Sequence, residues 1–149
     1  MLRLSPKTLL AIEAVLDIAY NARPEPVQAR DITRRQGIPA RHLEQVFQQL
    51  VRNGVLKGVR GPRGGYTLAR ERRRISVGEI VRLVGALEGA PDAPASRAEL
   101  GARVVAPLWE EVQGAVLARL DRITIEDLCR RAERAGVTRA VPADPDFSI

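Results

Sequence analysis

The chain has 149 residues, 45% of them hydrophobic but only 3% aromatic, so its core must be built from aliphatic side chains. The formal net charge of +6 favours a polyanionic partner such as nucleic acid, although a basic surface without that role is equally compatible with it. A single cysteine excludes an intrachain disulfide. No apolar run approaches the roughly 18 residues of a membrane span, and no signal-peptide pattern opens the chain, so we expect a soluble, cytoplasmic protein.

The first predicted helix begins at Ser5, which is suited to be its N-cap, with Pro6 in the first helical position. Apolar residues then recur at helical spacing from Leu9 to Ala19. The Arg-Pro-Glu-Pro stretch at 23–26 ends this pattern.

Residues 28–53 have the pattern of a helix-turn-helix. A short helix is predicted over 28–35, Gly37 ends it, and Pro39 opens a second helix over 39–53. Two helices joined by a tight turn are typical of DNA-binding domains, but any pair of packed helices can show the same pattern.

The second of these helices has one apolar face, made of Leu43, Val46, Phe47, Leu50 and Val51. A recognition helix presents its first turns to base edges in the major groove. The candidate DNA-contacting residues there are Pro39, Ala40, Arg41, His42, Glu44 and Gln45. Arginine pairs with guanine and glutamine with adenine, whereas a carboxylate near phosphates is repelled unless it selects a base or holds an arginine. A solvated helix face is the alternative interpretation.

A β-hairpin with a basic, glycine-rich tip is predicted directly after the helix pair. Strands are expected over 55–59 and 66–69, and the tip with its flanks supplies further candidate DNA contacts. These are Arg60, Gly61, Pro62, Arg63, Gly64, Gly65 and Tyr66. Glycine allows close backbone approach, and arginine is attracted into a narrow minor groove. The alternative, a phosphate-cradling nucleotide loop, lacks the Gly-Lys-Ser/Thr ending and the strand-then-helix context. Lys7 is a further candidate phosphate contact.

The second half of the chain is predicted to be helical with irregular connections. A Ser76 capping box starts a helix ending near residue 87, a loop covers 89–95, and a second capping box begins at Ser96. Pro107 is expected to kink or restart the helix, and a long helix is predicted over 108–123, a rod of roughly 24 Å. A last helix runs over 124–135, and residues 141–149 are expected to be irregular.

Taken in this order, the chain resembles the Rrf-type family of bacterial winged-helix transcriptional regulators. The matching segments are residues 2–5, 14–19, 31–32, 36–38, 43–45, 50, 53–56, 59–66, 77–80, 108–109 and 123–128. The segment 59–66, Val-Arg-Gly-Pro-Arg-Gly-Gly-Tyr, is the specific one. The resemblance implies a mostly α fold with a small β-hairpin. It divides the chain into a winged helix-turn-helix DNA-binding domain (1–87), a loop at the family's sensor position (88–107), a dimerisation helix with the C-terminal helix (108–137), and a tail (138–149).

The resemblance also implies a homodimer on a palindromic operator, acting as a repressor. The helix that begins near Pro39 would enter the major groove, and Arg60 would reach the minor groove. The dimerisation residues would be Leu108, Trp109, Val112, Val116, Leu120 and Ile123. Independently of the family, this apolar stripe needs a partner surface, which is either a second copy or the chain's own domain.

One departure from the family concerns its cofactor. Cluster-binding members carry three cysteines before the long helix, whereas residues 88–107 contain none here and Ala106 stands where a histidine can be a ligand. Iron–sulfur clusters usually need four thiolates, and a dimer would offer only two copies of Cys129. We therefore expect no cluster, no other cofactor and no metal site. Cys129 is either a redox sensor or a buried structural cysteine, and an unidentified small effector or protein partner could act at 89–103.

Three classes of function follow. A sequence-specific DNA-binding repressor predicts salt-dependent binding to duplex DNA. A winged-helix adaptor that works through a protein partner predicts that Arg60 and Arg63 are dispensable. An enzyme is not expected, because no paired carboxylates or nucleophile–base set is evident and the single histidine, His42, excludes a multi-histidine metal centre within one chain.

Overall fold

A computed structural model describes residues 4–21, 25–85 and 98–140. The helices over these residues are α1 (Pro6–Asn21), α2 (Ala29–Gln36), α3 (Ala40–Arg52), α4 (Val77–Gly85), α5 (Ala106–Asp121) and α6 (Ile125–Arg134). The strands are β1 (Leu56–Val59) and β2 (Gly65–Leu68), with a short 3-10 helix at Arg72–Arg74. The mostly helical fold with one antiparallel hairpin confirms the predicted fold class. No helix within the described ranges is long and apolar enough to span a membrane.

One mostly aliphatic core, which also contains Tyr20 and Phe47, joins α1, α2, α3, α4, α6 and β1. The largest fully buried side chains in it include Ile18, Ile32, Phe47, Ile80 and Ile125. The last of these belongs to α6, so the C-terminal helix packs into the same core as the helix-turn-helix. Two residues that helical spacing assigns to apolar faces are exposed instead, Leu9 of α1 and Val51 of α3.

A buried ion pair fastens α2 to α1. The carboxylate of Asp17 is fully buried and accepts hydrogen bonds from Arg35 Nε at 3.0 Å and from its terminal nitrogen at 2.6 Å. The side-chain amide of Gln36 donates a third bond at 2.7 Å. The hydrogen bonds that Arg35 itself donates to Asp17 raise the pKa of its guanidinium, which therefore stays charged. Because α2 is the first helix of the predicted pair, this contact sets its position on α1.

The turn between α2 and α3 contains Gly37 at the end of α2, as predicted, and Pro39 at the start of α3. Gly37 ends α2 with a left-handed φ of 67°, and its N–H donates to the Thr33 carbonyl at 2.9 Å. Pro39 is the N-cap of α3 rather than its first helical residue, because its ψ of 133° is extended. Its carbonyl accepts the N–H of Leu43 at 3.2 Å and so begins the helix.

The hairpin is extended by a third stretch of backbone that the sequence pattern did not reveal. Strands β1 and β2 pair antiparallel with Leu56 opposite Leu68 and Val59 opposite Gly65. Val27, just before α2, then forms a bridge with Tyr66: each backbone N–H donates to the other's carbonyl, at 2.9 and 2.8 Å. The tip-side end of β2 is therefore attached to the start of the helix-turn-helix.

Arg70 holds the segment between the hairpin and α4. It donates to the Gly54 and Arg74 carbonyls at 3.2 Å each and to Glu79 at 2.5 Å. The predicted capping box at α4 is therefore only half formed. Ser76 Oγ accepts the Glu79 N–H at 3.1 Å, but the Glu79 carboxylate binds Arg70 instead of the N-cap backbone.

The helix α5 begins two residues earlier than expected and is preceded by a π-helical turn at Gly101–Val105. Pro107 lies in the first turn of α5, where its missing N–H removes one helical hydrogen bond. The predicted restart at this proline is thus a change from π to α winding, since Leu100, Val105 and Ala106 keep right-handed helical angles.

The end of α5 approaches α4 closely. A Cβ added to Gly78 would lie 2.8 Å from the Asp121 backbone nitrogen, so only glycine fits there. Asp121 is paired with Arg82 of α4 through both carboxylate oxygens.

The helix α6 has a complete capping box at Thr124. Its hydroxyl accepts the Asp127 N–H at 3.1 Å, and the Asp127 carboxylate accepts the Thr124 N–H at 3.0 Å. These hydrogen bonds lower the pKa of Asp127 below its usual range. The expectations for the end of the α4 helix near 87, the loop at 89–95, the capping box at Ser96 and the tail at 141–149 lie outside the described residues.

Candidate nucleic-acid interface

The first turns of α3 form an exposed polar surface. Leu43, Val46, Phe47 and Leu50 are buried on the opposite face and anchor the helix to the core. The expected DNA-contacting residues Pro39, Ala40, Arg41, His42, Glu44 and Gln45 are all exposed. The helix therefore offers one complete face to an external surface while its other face is fixed, as a recognition helix requires.

A tight glycine turn forms the tip of the hairpin, which we call the wing (residues 60–65). Gly61 has a φ of 114°, a conformation that L side chains rarely adopt, and its carbonyl accepts the Gly64 N–H at 2.9 Å. A Cβ on Gly64 would clash with backbone, lying 2.9 Å from that same carbonyl oxygen and closer still to the Val59 oxygen. Arg60, Pro62 and Arg63 are exposed on this turn.

Tyr66 joins the wing to α3. Its ring packs on Phe47 with centroids 4.5 Å apart and planes tilted by 57°. Tyr66 is only half-exposed, so its ring contributes a fixed orientation between wing and helix. Next to it, a Cβ on Gly65 would lie 2.8 Å from the Val27 carbonyl carbon, which makes glycine necessary where the wing meets Val27. Sequence spacing alone cannot show this tertiary contact.

The cations on this surface are not paired with acidic side chains of the described residues. Arg41, Arg60 and Arg63 form no ion pair among the described residues, in contrast to the pairs of Arg35, Arg70 and Arg82 elsewhere. Unpaired guanidinium groups remain free to bind phosphate or base edges. Glu44 is also unpaired within the described part of the chain, so it does not hold an arginine in place.

Lys7 and His42 lie at the junction of α1 and α3, where both line a small, mostly apolar cavity with Leu10, Ile38 and Val46. Lys7 is half-buried and His42 is exposed. The first turn of α1 thus lies beside the surface of α3.

The long helix α5 has no buried residue within the described structure. Its apolar side chains Leu108, Trp109 and Val116 are 54%, 45% and 37% exposed, whereas Val112 and Leu120 are partly covered. Ile123 is also partly covered, but it lies beyond the end of α5 at Asp121 and not on the helix predicted over 108–123. The exposed apolar surface continues into Val104 and Val105 of the preceding turn. So much unpartnered aliphatic and aromatic area is typical of an interaction surface.

The cysteine thiol is poorly placed for redox chemistry or metal binding. Cys129 is 1% exposed in the core, and burial raises its thiol pKa, an effect that nearby Arg72 only partly offsets. Among residues 4–21, 25–85 and 98–140 there is no group of three or more His, Cys, Asp or Glu side chains that could hold a metal ion.

The fold and this surface define a winged-helix protein of the DNA-binding class. The model of the Rrf2 family, described as an iron-dependent transcriptional regulator, matches residues 4–131, and the chain belongs to that family. The regulator IscR of Escherichia coli is 34% identical over 137 residues, which cover 89% of this chain and 83% of the relative.

Two solved structures of transcriptional regulators are also similar to this chain. IscR of T. potens has a TM-score of 0.74 and 36% identity, covering 93% of this chain and 94% of its own. CymR of B. subtilis, the global cysteine regulator, has a TM-score of 0.70 and 29% identity, covering 88% and 98%. The relatives are transcriptional regulators and not enzymes, as expected for this chain.

The family's description names iron, which raises the question of whether the residues of this chain fit an iron–sulfur cluster. The whole sequence has one cysteine and one histidine, and the cysteine is buried in α6. An iron–sulfur cluster needs several accessible thiolates, so these residues do not fit it.

Proposed function

We propose that this transcriptional regulator is a repressor that binds a palindromic operator as a homodimer, without an iron–sulfur cluster. The observation that supports the DNA contact is the packing of Tyr66, next to the wing, on Phe47 of α3. Arg41 and Gln45 in the first turns of α3 read base edges in the major groove, while Arg60 enters the minor groove. The DNA contacts lie within residues 1–87 in this proposal, and α6 supports them by packing into the same core. Because its proposed partner is DNA, we expect the protein to act in the cytoplasm.

The exposed apolar surface of α5 supports the homodimer. A two-fold axis that passes beside this helix would bury Leu108, Trp109 and Val116 of both copies against one another. It would also space two recognition helices about one DNA turn, roughly 34 Å, or a multiple of it apart. The two half-sites of a palindrome match that symmetry.

The signal that releases the operator is not a cluster in this proposal. The thiolate ligands are missing, and Cys129 is neither exposed nor acidified as a redox sensor requires. An effector or protein partner at residues 89–103 stays an expectation from position in the chain, and most of that segment lies outside the described residues.

Titration of an operator duplex at fixed salt, with the operator taken from genome-wide mapping of bound sites, tests the DNA contact. Arg60→Ala is expected to weaken binding by about 1–3 kcal/mol if the wing reaches the groove. Arg134→Ala removes the same charge from an exposed site on α6 and is expected to have little effect. Wild-type affinity of the Arg60→Ala protein would remove the wing from the proposal. A wild-type protein that binds no duplex, yet still regulates through a protein, would favour the adaptor instead.

A further inference from the structure

The helix α5 is anchored best at its C-terminal end. Just after that end, the Ile123 carbonyl accepts the Val77 N–H at 2.8 Å, and the Ile125 N–H donates to the Ile75 carbonyl at 2.9 Å. The side chain of Ile125 is buried in the core, so the chain that leaves α5 is fixed in place. Apart from the π-helical turn that precedes it, the described element that α5 contacts most is α4.

Asp121, the last residue of α5, meets two residues of α4 that are one helical turn apart. Gly78 lies so near that a Cβ there would be 2.8 Å from the Asp121 backbone nitrogen. The two terminal nitrogens of Arg82 donate to the two carboxylate oxygens of Asp121, the second of these bonds at 2.8 Å. These bonds lower the pKa of the Asp121 carboxyl group, so the pair is charged at neutral pH. We call Gly78, Arg82 and Asp121 the clamp.

The clamp contributes more to orientation than to stability. The side chains of Arg82 and Asp121 are 50% and 39% exposed, and ion pairs between exposed groups stabilise a fold little. Glycine favours a helix less than alanine does, so Gly78 does not strengthen α4 either. A bidentate pair, however, fixes the direction between its two partners, and the glycine lets the helices approach closely. Together they restrict the angle between α4 and α5.

The helix α4 carries this angle to the DNA-reading surface. Ile80 and Val84 of α4 lie in the same buried core as Phe47 and Leu50 of α3. Close packing in that core makes α4 and α3 one rigid body. The direction of α5 relative to α4 is therefore also its direction relative to the helix that is proposed to read the operator.

We infer that the clamp determines which spacing of operator half-sites the regulator accepts. This inference rests on the proposed homodimer on a palindrome. Leu108, in the apolar surface proposed to join the two copies, precedes Asp121 by about 20 Å along the axis of α5. A change of about 10° at the clamp would move it by about 3.4 Å relative to α3, which is the rise of one base pair. Because symmetry makes both copies change together, the separation of the two recognition helices would change by up to about two base pairs.

Binding to a series of inverted repeats that differ only in spacer length tests the clamp. The half-sites are those selected by the wild-type protein, and the spacer is changed by about one to three base pairs. The wild-type protein should prefer one spacing over its neighbours by about tenfold, because each added base pair requires the DNA to be twisted by roughly 35°. Asp121→Ala frees the angle and should reduce this preference to below about threefold. Gly78→Ala forces the helices apart and should move the preferred spacing by about one or two base pairs. The selected half-site sequence should stay the same in both variants.

Matched controls exist for both variants. Gly114→Ala also adds a Cβ to a helical glycine, but within the described structure that Cβ meets no atom closer than 4 Å. Glu111→Ala removes the same charge as Asp121→Ala from an exposed site on α5 that has no ion pair among the described residues. Both controls should keep the wild-type spacing preference.

The possible results separate this inference from the proposed function. If the wild-type protein binds no duplex, or binds a single half-site as a monomer, both fail. If it selects an inverted repeat and both clamp variants keep its spacing preference, the operator-binding function stands and the role of the clamp is overturned. An equal loss of affinity at every spacing also overturns it, and so does loss of the dimer in sedimentation, because the clamp would then support assembly and not spacing.

Circular dichroism of the variants excludes a folding defect as the cause. Asp121→Ala only removes atoms from an exposed pair and should unfold close to the wild-type midpoint. Its spacing preference decides the question alone if Gly78→Ala does not fold.

Discussion

The buried Asp17 carboxylate predicts a large loss of stability when its charge is removed. Asp17→Asn keeps the shape of the side chain but leaves one oxygen to accept three donors, two from Arg35 and one from Gln36. Breaking a buried ion pair typically costs about 3–5 kcal/mol. The Arg35 side chain is 26% exposed and can recover some hydration, so we expect about 2–4 kcal/mol. For 149 residues this corresponds to a fall in Tm of roughly 6–12 °C.

Urea or thermal unfolding followed by circular dichroism measures this loss. The matched control is Asp31→Asn, which breaks the exposed pair of Asp31 with Arg34 in the same helix at 2.9 Å. That pair should contribute less than about 1 kcal/mol. An Asp17→Asn protein within about 0.5 kcal/mol of wild type, less than the stated cost of a broken buried pair, would refute the conclusion that this ion pair holds α2 on α1.

Two further predictions concern the wing and the cysteine. Gly65→Ala forces a Cβ against the Val27 backbone, so it should lower the free energy of unfolding by about 1–3 kcal/mol and weaken operator binding. The control Gly58→Ala, in the neighbouring strand, meets no atom within 4 Å and should do neither. Equal unfolding midpoints for the two variants would contradict the close contact. Alkylation of Cys129 in the folded protein should be at least about tenfold slower than in urea, because the thiol is buried and its pKa is raised; comparable rates would show an accessible, reactive thiol.

Most helix ends in the described structure were predictable because glycine, proline and short polar residues act through local backbone geometry. Ser5 caps α1 by accepting the Thr8 N–H at 3.1 Å, Gly37 takes the left-handed conformation that ends α2, and Thr124 forms its capping box. Each of these effects is contained within four residues of chain. The hairpin followed for the same reason, since Gly61 supplies the positive φ that its tip requires.

What escaped prediction depends on contacts between residues far apart in the chain. Val27 pairs with Tyr66 across 39 positions, and the Tyr66 ring rests on Phe47, yet no periodicity marks either contact. Glu79 looked like the second half of a capping box but is captured by Arg70, a stronger charged partner. The candidate interface was therefore identified as a set of exposed residues, while the packing that orients it came only from the structure.

Selection of bound sequences from a random duplex library by the full chain tests the central claim most directly, because it depends on sequence reading and on two-fold symmetry together. We predict enrichment of an inverted repeat whose half-sites are centred about 10 base pairs, or a multiple of one helical turn, apart. Enrichment of no motif, or of a single unrepeated half-site, would contradict a dimeric reader of a palindromic operator.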